Sequence, residues 1–259
     1  MYLLTLLILT LSTAMAAFPA PAAAHGRVVE LNVVDRDSGQ PLHVHYRDDQ
    51  AFVEGRPGQR YAIRLANRSG GRVLAVLSVD GINAVSGQTA APDQAGYVLE
   101  PYQSTDVAGW RKSLSDVAAF EFSALPDSYA ARTGRPGDVG VIGIAVFRER
   151  PSPPPRPRIS HGKTGSARAE AMHPPAAARA PADTVQAAPQ MQQSIGTAHG
   201  QREYSRVERT QFQRASGPPA EMVALRYDRR DNLIAMGVIA PPPHRPGPRV
   251  FPGSFVPDP

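Results

Sequence analysis

The chain has 259 residues, a formal net charge of +5, 27 prolines and no cysteine. Without cysteine it has no disulfide framework, no thiol nucleophile, no cysteine-based metal site and no lipid attachment through a cysteine. The positive charge does not point to nucleic acid. Residues 25–150 hold 14 basic and 15 acidic side chains, whereas residues 151–194 (5 and 2) and 195–259 (9 and 6) each carry +3, so the excess lies outside the main segment.

Residues 1–24 read as a secretory signal peptide. Leu3, Leu4, Leu6, Leu7, Ile8, Leu9 and Leu11 form an apolar run too short to span a membrane, and small-residue cleavage sites follow at Ala14-Met15-Ala16 and Ala22-Ala23-Ala24. No Lys or Arg precedes the run. The sequence therefore places the mature chain in the periplasm or outside the cell, with no transmembrane segment after cleavage.

Residues 25–150 read as one mainly β domain, an antiparallel sandwich or barrel. Strands are predicted over 28–34, 42–46, 60–66, 72–79, 82–85, 97–99, 105–110, 117–122 and 139–147. The clearest is Arg60 to Ala66, where Tyr61, Ile63 and Leu65 alternate with Arg60, Ala62, Arg64 and Ala66. Asp80-Gly81 is the strongest hairpin signal. Around residues 126–133 Asp127 is placed to cap one helical turn that Gly134 ends.

Residues 151–194 contain nine prolines, runs of Ala and Gln-rich spacing, which predicts a disordered linker. Residues 195–240 read as a second β-rich block, with strands expected within 196–212 and 221–227 and an apolar patch at 233–239. Its twelve sizeable apolar side chains are too few to hold some 45 residues alone, so it is expected to dock on the first domain. Residues 241–259, with eight prolines, read as a disordered tail.

Several clusters suggest chemistry, each with a plainer alternative. His43 and His45, two apart on a strand, point to one face and suit a metal ion with Asp48 or Asp49, or are two surface histidines on an edge strand. Asp35-x-Asp37-x-Gly39 opens like a calcium loop but has His45 where the closing acid belongs, so a plain turn is expected. Gly162-Lys163-Thr164 imitates the end of a phosphate loop but has Pro157 where Gly is required. Tyr129 and Arg132, three apart, combine with Trp110 and Tyr102 as an aromatic and cationic binding spot, or Trp110 and Tyr129 simply pack. Arg202 to Arg209 alternates in sign, as a solvated strand face or an interaction patch does. Glycines at 140 and 143 mark a bulge or close approach.

Four phrases, Gly96-Tyr97-Val98-Leu99-Glu100-Pro101, Ser128-Tyr129-Ala130-Ala131-Arg132, Gly140-Val141-Ile142-Gly143-Ile144-Ala145 and Gly196-Thr197-Ala198-His199-Gly200, resemble a group of exported proteobacterial proteins that carry no assigned function. The resemblance covers roughly residues 27–150 and 195–240. It implies a Gram-negative envelope setting and carries over no catalytic residue.

The chain has no nucleophile elbow and no H-E-x-x-H. The leading expectation is a non-enzymatic binding or structural module of the envelope, with no cofactor and with an envelope polymer or protein as partner. The alternatives are a hydrolase using Glu100, Asp106, Asp116 and Glu121, and a metal-binding module through His43 and His45.

Overall fold

A computed structural model describes residues 26–151 and 194–243. The expected signal peptide (1–24), nearly all of the expected linker (151–194) and most of the expected tail (241–259) lie outside the described residues. In chain order the strands are β1 (Val29–Asp35), β2 (Val44–Arg47), β3 (Gln50–Glu54), β4 (Arg60–Asn67), β5 (Val73–Val79), β6 (Ile82–Asn83), β7 (Tyr97–Leu99), β8 (Ser104–Val107), β9 (Gly109–Arg111), β10 (Asp116–Ala124), β11 (Val141–Arg148), β12 (Ile195–Tyr204) and β13 (Glu221–Asp228). Two short helices, α1 (Tyr129–Arg132) and α2 (Arg230–Ala235), complete the regular structure with two 3-10 turns.

The strands form two sheets, and no barrel closes among the described residues. The first runs β1-β4-β10-β12, with β8 paired to β4 and β9 to β10; the second runs β2-β3-β13-β11-β5-β6, with β7 on β5. Period-2 alternation drives the division. On β5, Val73, Ala75, Leu77 and Val79 enter the main core, while Leu74 and Val76 join a separate cluster with Ala145 and Phe147. Both faces are covered, which explains why this strand reads as one continuous apolar run. The main core draws on both sheets, combining Leu31, Ile63, Leu65 and Phe120 with Leu77, Ile142, Ile144 and Leu225. Fully burying side chains of this size stabilises the fold by about 1.5–3 kcal/mol each, before entropy is counted.

Local chemistry sets the turns. Asp80 and Gly81 both have positive φ (51° and 71°), the geometry of a two-residue turn whose twist matches its strands. Asp48 and Asp49 (φ 48° and 59°) make a second such turn and create β3, a strand not anticipated from the sequence because its apolar run is only Ala51-Phe52-Val53. Asp35 closes the loop at 35–39 as a plain turn, its carboxylate accepting from the backbone of Asp37 and Ser38 and from Ser38 Oγ. Hydrogen bonds from Gln59 and then Ser38 pull that carboxyl down to about 2.

Residues 194–243 supply structural strands to both sheets. β12 pairs antiparallel with β10. β13 lies inside the second sheet, antiparallel to β11 and parallel to β3. The apolar patch at 233–239 is not a strand: α2 sets Leu233 with Ile239 against Phe52. Glu221 accepts hydrogen bonds from the backbone N–H of Val28 and Val29, fastening the start of β1.

Candidate functional site

Two clusters of polar side chains lie where segments distant in sequence meet. The first is sealed in the core. Asp80 is completely buried and accepts from Tyr227 Oη at 2.6 Å, Thr197 N at 2.8 Å and Gly140 N at 3.0 Å. Thr197 Oγ1 is 2.8 Å from Tyr227 Oη and 2.6 Å from Tyr61 Oη. Each hydroxyl carries one proton, so with Asp80 ionised the chain runs one way: Tyr61 donates to Thr197, Thr197 to Tyr227, and Tyr227 to Asp80. Burial dominates over these donors and pushes the Asp80 carboxyl up to about 6. Burial and the Asp80 charge hold both tyrosines well above their ordinary range. Each of these side chains has a partner, and the network joins β4 and β12 of one sheet to β13 and the β5–β6 turn of the other.

The second cluster is open. A cleft of about 810 Å³ lies among β7, β9, the β9–β10 turn and the stretch that follows β12. Its lining includes four cations, Arg111, Lys112, Arg206 and Arg209, and one carboxylate, Glu208, which pairs at the surface with Arg206. The walls are fixed by ordinary chemistry. Ser113 Oγ and Ser115 Oγ both donate to Asp116 Oδ2 at 2.6 Å, locking the turn and lowering the Asp116 carboxyl. Backbone bonds from Ser205 N to Ser115 O (2.7 Å) and from Val207 N to Leu114 O (2.8 Å) carry the β12 direction past its end.

Arg111 is the distinctive group. Its guanidinium donates to the carbonyl and hydroxyl of Ser205, and it forms no ion pair among the described residues. The nearest opposite charge it acts on is Asp116, which the two serines already hold, so an anion arriving in the cleft would give this partly buried cation a direct partner. Beside it, the Tyr97 hydroxyl and Arg111 Nε are buried without a well-formed hydrogen bond. Burial raises the Tyr97 hydroxyl, and the nearby Arg111 charge opposes the rise.

The residues singled out from the sequence divide around this cleft. Trp110 on β9 is 3% exposed, so it is a packing residue: Phe120 meets it edge-on at 5.1 Å and Tyr129 at 5.3 Å. Tyr129, half-buried on α1, lies 5.7 Å from the ring of His199 on β12. The helix is capped by Ser128, whose Oγ accepts from Ala131 N at 3.2 Å; Asp127 belongs to the preceding turn. Gly196 lets β12 come this close, since a Cβ there would sit 2.5 Å from Ser128 Cβ. Arg132 is exposed at the end of α1. Tyr102, 74% exposed, stands apart beside Gly70 in the β7–β8 turn.

His43 and His45 come together at the start of the edge strand β2, with ring centres 4.5 Å apart and edge-on. Burial, followed by the His43 charge, lowers His45. Among the described residues no third His, Asp or Glu joins them in a group able to hold an ion. Glu100 pairs with Arg72, Asp106 with Arg64, and Asp116 with its two serines, so three of the four expected carboxylates are already engaged.

The cleft was not visible in the sequence because it takes Arg111 and Lys112 from one segment and Arg206 and Arg209 from another. The usable signal was the sign-alternating run at 202–209. No helix among the described residues is long and apolar enough to cross a membrane. Compared with known protein families, curated proteins and solved structures, the chain finds no match.

Proposed function

We propose that this protein is an exported envelope module, a β-sandwich that binds an anionic ligand in the cleft around Arg111 and performs no catalysis on it. The observation that carries this reading is the Arg111 guanidinium, which is held by the carbonyl and hydroxyl of Ser205 without a direct ion pair, among neighbouring cations that outnumber the carboxylate lining the cleft. Such a surface attracts anions through summed charge, and low-dielectric walls strengthen the field. The export reading rests on the leader-like residues 1–24; mass spectrometry should find a mature protein that begins after Ala16 or Ala24, and one that begins at Met1 overturns it.

The hydrolase alternative loses ground because Glu100, Asp106 and Asp116 are already committed to partners. The metal alternative has two imidazoles and no further ligand beside them among the described residues. Calorimetry of the full mature chain against a linear polyanion tests the binding reading. Affinity should fall steeply between low and physiological salt, and Arg111→Ala should weaken it by about tenfold, the worth of about 1.4 kcal/mol. Binding that ignores both salt and Arg111→Ala sinks it.

A further inference from the structure

Resting on the cleft reading, we propose that the Tyr129–His199 shelf is a sugar-stacking subsite continuous with the cleft, and that the ligand is an acidic glycan whose charged groups meet Lys112, Arg132 and Arg111. The shelf has three layers. Trp110 is the buried backing, Tyr129 leans on it at 5.3 Å, and His199 continues the surface at 5.7 Å. Tyr129 is half-buried and His199 exposed, so the shelf has a solvent-facing side. Sugar rings offer C–H faces that suit flat aromatic surfaces, while their hydroxyls need polar partners.

Lys112 joins the two places. It lines the cleft and follows Trp110, the backing of the shelf, by two positions, and its charge adds to burial in lowering the His199 imidazole. Neither Lys112 nor Arg132 forms an ion pair among the described residues. The shelf therefore combines a neutral aromatic surface with two available cations, which suits rings that carry acid groups.

The choice of glycan over acidic peptide rests on the backbone. A peptide gains much of its affinity by adding a strand to an open edge. Here Arg111 N already donates to Ala84 O, Lys112 N to Asp116 O, and Ser205 N and Val207 N to the β9–β10 turn. Of the polar side chains that line the cleft, Ser113 is held by Asp116 and Thr210 by Arg72, which leaves the Thr105 hydroxyl and the Gln103 amide N–H beside the cations. These are hydroxyl and amide partners of the kind sugars use.

The test uses the full mature protein with three probes: an oligogalacturonate, an uncharged oligosaccharide of equal length, and polyglutamate. Trp110, the only tryptophan of the chain, reports from behind Tyr129. Oligogalacturonate should bind about tenfold more tightly than polyglutamate and shift the tryptophan emission. Tyr129→Ala should erase that preference and leave polyglutamate unchanged, and Tyr129→Phe should restore it. If Tyr129→Ala does not fold, Arg132→Gln and His199→Ala replace it, each expected to weaken oligogalacturonate several-fold and leave polyglutamate unchanged. Equal binding of oligogalacturonate and polyglutamate, unmoved by these variants but lost in Arg111→Ala, overturns the subsite and spares the cleft. Equal binding of the uncharged sugar overturns the acidic requirement, and no binding of either polyanion overturns both readings.

Discussion

The Asp80 network and the Arg111 cleft are made of similar materials, yet they are opposite in state. Both join residues from before position 151 to residues beyond 194. In the network every donor has an acceptor: Asp80 takes three hydrogen bonds and the two tyrosines and Thr197 close the chain. In the cleft cations exceed carboxylates and Arg111 makes no direct ion pair among the described residues. The contrast separates two uses of buried polarity. A satisfied network specifies which strands meet; an unsatisfied one waits for a partner from outside. A strongly shifted acid such as Asp80 would ordinarily draw attention as a catalytic candidate, but no cleft opens onto it among the described residues.

The most severe way to probe this difference is to remove residues 194–259, and with them β12, β13, Thr197 and Tyr227. The remaining chain should lose cooperative thermal unfolding by circular dichroism, because β3 and β11 lose the strand between them. A cooperative melt of the shortened protein would break the comparison at its root.

Next in size is Asp80→Ala, which strands Gly140 N, Thr197 N and the Tyr227 hydroxyl and puts a Cβ-bearing residue without a local hydrogen bond at φ 51°. A loss of ~3–5 kcal/mol in denaturant unfolding is expected, since each stranded buried group costs about 1–3 kcal/mol. The folded fraction should bind polyanion as before.

The pH dependence sharpens the same point. Asp80 has a raised folded value, about 6 against an ordinary 3.8, so its stabilisation is complete below 3.8 and disappears as pH rises through 6. The loss amounts to about 3 kcal/mol. His45 and His199, both lowered, act in the opposite sense as pH falls through 6.5. Subtracting the profile of Asp80→Asn from that of the wild type isolates the Asp80 contribution, and a flat difference between pH 4 and 7 would refute the assignment. The smallest stability effect is expected at the cleft: Arg209→Ala should change unfolding by less than about 0.5 kcal/mol while weakening polyanion binding several-fold.

The strands were legible wherever one face is buried. Tyr61, Ile63 and Leu65 enter the core and alternate with the exposed Arg60 and half-buried Arg64, although Ala62 and Ala66 between them are buried too, and Asp80-Gly81 announced its turn through residue types that tolerate positive φ. Partnership was less legible. Asp-Gly reads as a surface turn, and nothing local says that this aspartate faces inward to meet Tyr227. The helix cap went to Ser128 over Asp127 because β12 packs against that serine through Gly196, a tertiary fact. Trp110 and Tyr129 were visible as a pair of aromatics, whereas His199, the third ring, lies 70 positions after Tyr129 and on another element. The cleft was hidden by averaging: a segment with net −1 still contributes two adjacent cations to one wall.

The interior place of β13 also sets a clock. Tyr227 reaches Asp80 across 147 positions of sequence, and Glu221 reaches Val28 across 193. During synthesis the early strands are made long before the segment that fills the gap between β3 and β11. Contacts of such range are slow to form, because a long loop must close before they return any energy. Until then two unpaired edges stay open to other chains. The second sheet therefore cannot close before β13 is available, and β3 and β11 are most exposed to wrong partners in the interval just before it arrives.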